Sequence, residues 1–169
     1  CGARTQGAFP AGVSASVQYG SGVAALGVYA QVYQLLPLER TRQLLGDIVK
    51  CWPSEGTLVN LLATCAERVA PINAQIKAAL LCTDVLHVDE TGVRAADQMF
   101  WLHSASTASL TSYAVDAKRG KQAHARIGLL PAYTGVAIHD ALISYLRLPG
   151  YAGTHGLCNA HLLRELTAL

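Results

Sequence analysis

The chain has 169 residues, of which 51% are hydrophobic and 14% are charged, and its formal net charge at pH 7 is +2. Such an apolar composition excludes an intrinsically disordered chain, and the length predicts one domain plus an appendage around a substantial core. The small net charge excludes a uniformly basic nucleic-acid-binding protein, so any contact with DNA has to come from local patches of charge.

The cysteines and the ends of the chain give further bounds. The five cysteines show no disulfide-framework spacing, which is typical of a reducing cytosol, and Cys65 and Cys82 are expected to pack as small apolar side chains. Residues 5–38 carry no charge, but glutamines and glycines interrupt them, which favours a buried helix over a membrane span. The chain lacks an initiator methionine and ends within a helix-like run, so we expect it to be a piece of a longer protein.

The first half of the chain is predicted to be helical. Residues 1–18 have the composition of an extended lead-in, and residues 19–82 are predicted to form a helical domain. Its helices are expected at 19–36, at 37–49, and from an N-cap at Ser54 to about residue 81, with Pro71 kinking or dividing the last one.

Two features of this helical domain indicate how it packs. A seam of apolar residues at helical spacing follows the third helix, at positions 58, 62, 65, 69, 72, 76 and 80. The second and third helices resemble a helix-turn-helix in outline, but Glu55-Gly56-Thr57 offers no basic side chain to read bases, and a plain helical hairpin is the alternative.

Residues 83–169 show a different pattern, which predicts strands alternating with helices. Strands are expected at 85–89, 99–106, 110–117, 136–139 and 155–158, and helices at 120–130, 141–146 and 159–169. The resulting order, βββ-α-β-α-β-α, predicts a partial ribonuclease H-like fold with a mixed sheet, so that the whole chain is of the α+β or α/β class.

Two of the predicted strands end in an aspartate. Asp89 follows an apolar run that stops at Thr91-Gly92, and Asp140 follows a similar run 51 positions later. If these strands are neighbours, both carboxylates meet at one edge of the sheet, where they could hold a divalent cation. The alternative for either aspartate taken alone is a turn residue or a helix N-cap.

A basic run lies at the start of the predicted helix after the third strand. Contacts with DNA phosphates there are an expectation, and a solvated turn is the alternative. The residues concerned are Lys118, Arg119, Lys121 and Arg126. His87, His103 and His139 lie on or beside the strands and are expected to support the core or the site.

Longer stretches resemble the insertion sequence sixty-six family of bacterial DDE transposases over essentially the whole chain. The resemblance is carried by FP at 9–10, VQYG at 17–20, QLLPLERT at 34–41, SEGTL at 54–58, HVDETG at 87–92, WLH at 101–103, AKRG at 117–120, HD at 139–140 and LCNAHLLREL at 157–166. The resemblance implies that Asp89 and Asp140 are the first two catalytic acids and metal ligands, with Mg²⁺ or Mn²⁺ in a two-metal site.

The same resemblance implies that the third acid, a glutamate, lies beyond residue 169. Glu165 is the other candidate for this role, although an acid on such a helix surface is usually solvated. Cys158 and His161 resemble a C-x-x-H element of several such families and are expected to form a wall of the active site rather than a zinc site. Cys1-Gly2 is similar to the end of a zinc-binding segment whose other ligands are absent from the chain.

The leading hypothesis is therefore a fragment of a DNA transposase that cleaves and transfers strands at insertion-sequence ends. Without the third acid the fragment alone is expected to be inactive. Its expected partners are the element's DNA ends and target DNA, with self-association and without a membrane, in the bacterial cytoplasm at the nucleoid. The alternative is an inactive remnant that serves at most as a DNA-binding or oligomerisation module, and a generic ribonuclease H-like nuclease is disfavoured by the helical first half.

Overall fold

A computed structural model of the protein describes residue 2 and residues 4–5, 7–13, 15 and 17–167. A 3₁₀ turn at Leu130–Ala132 accompanies the regular elements. In chain order these are α1 (Ser21–Val32), α2 (Leu38–Val49), α3 (Glu55–Leu81), β1 (Val85–Ala95), β2 (Gln98–Ser106), β3 (Thr111–Asp116), α4 (Lys121–Ile127), β4 (Val136–His139), α5 (Ile143–Leu146), β5 (Thr154–Leu157) and α6 (Asn159–Thr167).

The chain divides into two compact units, residues 1–69 and residues 70–169. The division falls inside α3, beside Pro71, whereas the sequence predicts a boundary after residue 82. Pro71 does not divide α3, which is one continuous helix of 27 residues with the proline inside it. No helix in the described part of the chain has the length and apolar character that a membrane crossing requires.

The first unit is built from α1, α2 and the start of α3. A Cβ atom at Gly27 of α1 would lie 3.4 Å from Leu58 and 3.7 Å from Leu45, so the absence of a side chain lets these helices approach closely. Leu45 and Leu58 are completely buried. Ser54 caps α3 as predicted, because its hydroxyl accepts a hydrogen bond of 3.1 Å from the backbone N–H of Thr57.

The apolar seam predicted along α3 is buried only in part. Leu58 and Leu80 are fully buried near its two ends, but Val69 and Ile72 at its centre are 38% and 55% exposed. The prediction of one continuous packing seam is therefore wrong in the middle of the helix, where the two units divide. Cys82 is also exposed, contrary to its predicted packing as an apolar side chain.

The second unit contains a five-stranded mixed sheet with strand order β3-β2-β1-β4-β5. The pairs β1–β2 and β2–β3 are antiparallel, and the pairs β1–β4 and β4–β5 are parallel. The mixed α+β class and the mixed sheet agree with the prediction. The core of this unit lies on one face of the sheet and consists of Leu80, Leu86, Val88, Ala105, Leu129, Leu130, Tyr133, Ala137, Tyr145 and Leu148.

Strand β1 is longer than its sequence predicts. Its antiparallel pairing with β2 continues to Ala95↔Gln98, and Gly92, which we expected to stop the strand, pairs with Trp101. Asp89 therefore lies in the middle of β1, so the prediction that this aspartate ends its strand is wrong. The parallel partner β4 does end early, at His139, which leaves β1 unpaired on that side beyond His87.

Candidate active site

Asp89 and Asp140 lie just beyond the paired residues of the parallel strands β1 and β4. The three paired positions, from Val85↔Val136 to His87↔Ile138, are each 51 residues apart. Asp89 and Asp140 are separated by the same 51 positions, and each follows the last pair, His87↔Ile138, by two residues. The structure thus places one predicted acid in β1 and the other directly after the neighbouring strand β4.

The two aspartates differ in their surroundings. Asp89 is exposed, and its Oδ1 accepts a hydrogen bond of 2.9 Å from the backbone N–H of Glu90. The side chain of Asp140 is 19% exposed, and its Oδ1 accepts a hydrogen bond of 3.0 Å from the backbone N–H of Leu142. This last contact is a turn-type bond, so the alternative role of Asp140 as a turn residue is also present in the geometry.

Glu90 is the acid whose role the sequence did not reveal. It follows Asp89 on the opposite face of β1, and its side chain is completely buried. Its Oε1 accepts a hydrogen bond of 2.8 Å from Nε of Arg119, and its Oε2 accepts one from the hydroxyl of Tyr145. The alternation of side chains along a strand could have revealed its position, because it places Glu90 on the face of β1 opposite Asp89.

Arg119 links this buried acid to the exposed side of the site. Its Nη2 lies 3.7 Å from Oδ2 of Asp140, and its guanidinium carbon lies 4.9 Å from the ring centroid of Trp101. The ion pair with Glu90 is the tighter of its two contacts with carboxylates. Arg119, predicted as a contact for DNA, is therefore engaged by the acids of the site.

Tyr145 keeps its proton under all ordinary conditions. Burial is the main cause that raises the pKa of its hydroxyl, followed by the hydrogen bond to Glu90 and its charge, and then by the charges of Asp140 and Asp89. The hydroxyl is consequently a permanent donor to Glu90.

His139, the last residue of β4, packs against Tyr145. The two rings stack with their centroids 4.7 Å apart, and the side chain of His139 is buried, in line with its predicted supporting role. Burial is the main cause that lowers the pKa of His139, and the nearby His155 lowers it further. Its Nδ1 accepts a hydrogen bond from the backbone N–H of Ala141, so Nε2 carries the proton and donates to Nδ1 of His155 at 2.9 Å.

Cys158 and His161 lie on the same side of the sheet as Asp89. With Asp89 they line a cavity of about 150 Å³, whose other walls include His87 and Ser104. A side-chain hydrogen bond between them is the main cause that lowers the pKa of the Cys158 thiol and raises the pKa of the His161 imidazole. The charge of Asp89 raises the pKa of His161 further.

The remaining basic residues of the predicted DNA contact fall into two groups. Arg126 forms a two-point ion pair with Asp116, with distances of 2.8 and 2.5 Å, and the hydrogen bond from Arg126 is the main cause that lowers the pKa of Asp116 to about 2. Lys118 and Lys121 are exposed and form no ion pair with any residue that the structure describes.

The carboxylate oxygens of Asp89 and Asp140 are suitable ligands for a hard divalent cation, but they make up only part of a metal site. Carboxylate oxygens are the ligands that Mg²⁺ and Mn²⁺ prefer, and Asp140 Oδ2 makes no hydrogen-bond-length contact with Arg119. Across residues 17–167 and the described positions before them, however, no three His, Cys, Asp or Glu side chains are grouped to hold a metal ion. Glu165, exposed on α6, does not complete such a group. Cys1, predicted to be similar to a zinc ligand, lies outside the described residues.

Comparison with known proteins identifies the class of protein as a transposase. A family model described as "Transposase IS66 family" matches residues 16–169. The chain therefore belongs to the IS66 family of transposases, as its sequence motifs predict. No curated protein gives a significant match.

One similar solved structure is a chain in the "CryoEM structure of simian T-cell lymphotropic virus intasome in complex with PP2A regulatory subunit B56 gamma". The identity is 13% and the TM-score is 0.38, over 84% of this chain and 57% of that chain. The protein thus spans less than two thirds of that chain, and a likeness at this TM-score carries no conclusion about function.

Proposed function

We propose that this chain is part of a DDE-type DNA transposase with a ribonuclease H-like catalytic fold, which cleaves DNA at the ends of an insertion sequence and transfers the strands. The observation that carries the proposal is that Asp89 and Asp140 each lie two residues beyond the last pair, His87↔Ile138, of the neighbouring parallel strands β1 and β4, in a chain of the IS66 family. Two carboxylates so placed suit metal-dependent phosphoryl transfer.

In this proposal Asp89 and Asp140 hold Mg²⁺ or Mn²⁺ between them. The bound cations would supply activation of a water or a 3′-hydroxyl and stabilisation of the leaving oxygen. Asp89 is exposed and can meet a cation that arrives with the DNA, whereas Asp140 is half-buried and keeps its Oδ2 toward the site. The third acid of the set is proposed to be a glutamate that the family carries outside residues 1–169.

The DNA backbone is proposed to run past Lys118 and Lys121. Both are exposed and unpaired within the described part of the chain, and cations of this kind position a duplex without reading its sequence. Arg119 and Arg126 already hold carboxylates, so their contribution to DNA contact is smaller. Cys158 and His161 are proposed to form a wall of the active site beside Asp89.

The wider setting of the protein is also a proposal. The partners are the DNA ends of the element and its target DNA, with self-association of transposase subunits and no association with a membrane. The protein would act in the bacterial cytoplasm, at the nucleoid.

Titration calorimetry with Mg²⁺ or Mn²⁺ tests the metal site. We expect the wild-type chain to bind the cation, Asp89→Asn to bind it much more weakly, and Asp47→Asn, which removes an exposed carboxylate from α2, to bind as the wild type does. Equal binding by the wild type and Asp89→Asn would overturn the proposed metal site.

A second candidate is an inactive remnant that serves as a DNA-binding or oligomerisation module. It is favoured by the absence of a third acid beside Asp89 and Asp140 in the described residues. A cleavage and strand-transfer assay separates the two candidates when it compares this chain with a version extended through the next acidic helix of the gene. Activity of the extended version alone supports the transposase, and inactivity of both supports the remnant.

A further inference from the structure

Glu90 and Arg119 connect the buried side of β1 to Asp140. We propose that these two residues form a clamp that positions the carboxyl group of Asp140 beside Asp89, so that Arg119 is a positioning residue for the metal site. The inference rests on the proposed function of Asp89 and Asp140 as metal ligands.

Burial of Glu90 fixes one end of the clamp. An ionised carboxylate is costly to bury unless it is paired and hydrogen-bonded, and Glu90 meets both conditions through Arg119 and Tyr145. The hydroxyl of Tyr145 is itself held in place by the ring of His139. Nε of Arg119 is therefore anchored to a group that cannot move without a loss of stability.

The planar guanidinium then determines where the other end of the clamp points. With Nε bound to Glu90 at 2.8 Å and the ring of Trp101 against the guanidinium, Nη2 is directed toward Asp140. A lysine at this position would carry the same charge but could not reach both acids with fixed geometry, because its ammonium is a single point on a flexible stem.

Asp140 needs such support because the sheet does not provide it. The ladder between β1 and β4 ends at His87↔Ile138, and Asp140 lies beyond the last residue of β4. Its carboxylate instead meets the backbone N–H of Leu142 on one oxygen and Arg119 on the other. The separation of 3.7 Å from Arg119 exceeds a hydrogen bond, so this second oxygen remains available to a cation.

The charges around the clamp also favour a cation. Three carboxylates, those of Asp89, Glu90 and Asp140, and the one guanidinium of Arg119 leave a local charge of −2 (three negative, one positive). Arg119 neutralises the acid that is buried and leaves the two that face the site for a divalent ion. Without Glu90, Arg119 would be free to pair fully with Asp140 and would compete with the ion.

The first test measures Mn²⁺ binding to the 169-residue chain by electron paramagnetic resonance of the free ion. We expect Glu90→Gln and Arg119→Lys to weaken Mn²⁺ binding about tenfold, the size seen for groups that orient a metal ligand. Arg94→Gln, which removes an exposed positive charge from β1, should leave Mn²⁺ affinity unchanged. Leu148→Val, which trims a buried side chain in the core of the same unit, should lower the thermal midpoint while Mn²⁺ affinity stays within about twofold.

The second test is made without metal and detects the clamp itself. Urea midpoints are measured for Arg119→Gln, Asp140→Asn and the double variant. We expect the double variant to be less destabilised than the two single effects together, because each substitution removes the same interaction. Additive effects would overturn the clamp.

The outcomes of the two tests separate the clamp from the metal site. Loss of Mn²⁺ binding in Asp89→Asn with unchanged binding in Glu90→Gln and Arg119→Lys overturns the clamp alone. Equal weakening by Leu148→Val also overturns it, since the effect would then come from a general loosening of the core. Wild-type binding in Asp89→Asn overturns the metal site on which the clamp rests.

Discussion

Asp89 and Glu90 carry the same chemical group and are neighbours in the chain, yet they face opposite sides of β1. Asp89 is exposed, whereas the side chain of Glu90 is completely buried against Arg119 and Tyr145. The difference follows from the alternation of side chains along a strand. At the scale of single residues, the role open to each acid is therefore set by the face on which it lies.

His124 provides a pH-dependent prediction at the same scale. It is buried in α4, and burial, together with the nearby His103, lowers its pKa to about 4 from an ordinary value of 6.5. Because the unfolded chain binds this proton more readily than the folded one, the contribution of His124 to stability is full above pH 6.5 and is lost as the pH falls toward 4. We expect the urea midpoint to fall over this range, by up to about 3 kcal/mol in unfolding free energy.

Two variants in α4 check this assignment. His124→Gln should flatten the dependence of the urea midpoint on pH between 6.5 and 4, since the residue that titrates has been removed. Gln122→Ala, at an exposed position on the same helix, should leave that dependence as it is in the wild type. A wild-type pH dependence in His124→Gln would contradict the prediction.

At the scale of elements, the hairpin β1–β2 is the largest departure from the predicted strands. Thr91-Gly92 has the composition of a strand end, but Gly92 pairs with Trp101 and the ladder continues to the tip. The reason is pairing with β2, whose residues 98–106 extend far enough to satisfy the backbone of β1 through Ala95. The low strand propensity of one or two residues is outweighed by a row of such backbone hydrogen bonds.

The tip of this hairpin is strained, which gives a prediction for the element. Ala96 and Asp97 both have positive φ, 48° and 61°, a conformation that Asn and Gly adopt far more readily. Replacing the pair, Ala96→Asn with Asp97→Gly, should raise the free energy of unfolding by about 0.5–1 kcal/mol. Urea denaturation followed by circular dichroism measures this change.

The turn between β2 and β3 serves as the control for that substitution. Ser109 lies there and does not have a positive φ, so Ser109→Gly only adds freedom to the unfolded chain and should lower stability. A loss of stability in the Asn-Gly variant, or the same effect from both changes, would show that the conformation of the tip is not strained.

At the scale of the whole molecule, DNA binding is expected to depend on where individual basic side chains lie, because the net charge of +2 is too small to attract DNA by itself. Two of the four predicted phosphate contacts, Arg119 and Arg126, are paired with acids, whereas Lys118 and Lys121 are exposed. The electrostatic part of DNA binding should therefore depend mainly on these two lysines.

The salt dependence of DNA binding tests this expectation. For a duplex bound by the full chain, Lys118→Gln and Lys121→Gln should each reduce the slope of log K against log salt by about 0.9, the value expected when one fewer phosphate is neutralised. Arg126→Gln should change the slope less, because its ion pair with Asp116 already offsets its charge. Fluorescence anisotropy at several salt concentrations gives these slopes.

Lys50 is the matched control for the DNA measurements. It lies at the end of α2, in the turn of the helix-turn-helix-like pair, and its ammonium donates to the backbone carbonyl of Asp47. Lys50→Gln should leave the slope unchanged if the DNA lies against the second unit. A reduced slope in Lys50→Gln alone would assign DNA binding to the helical unit instead.

The sequence by itself determined the local elements and indicated Asp89 and Asp140 as the candidate acids. Apolar periodicity predicted α1, α2, α3, β4 and α6 close to their observed bounds, because the residues that set the period of a helix or strand are near neighbours in the chain. The 51 residues between Asp89 and Asp140 equal the offset of the β1–β4 pairs, so the two similar apolar runs do form neighbouring strands.

Only the tertiary structure decided which groups surround these acids. Arg119 and Tyr145 lie 29 and 55 residues from Glu90 in the chain, and no local pattern indicates that they meet it. The burial of Glu90, the extension of β1 and the division of α3 between two units all depend on packing between remote segments. The periodicity of the sequence predicts that a side chain is buried, but which residues it contacts depends on the fold of the whole chain.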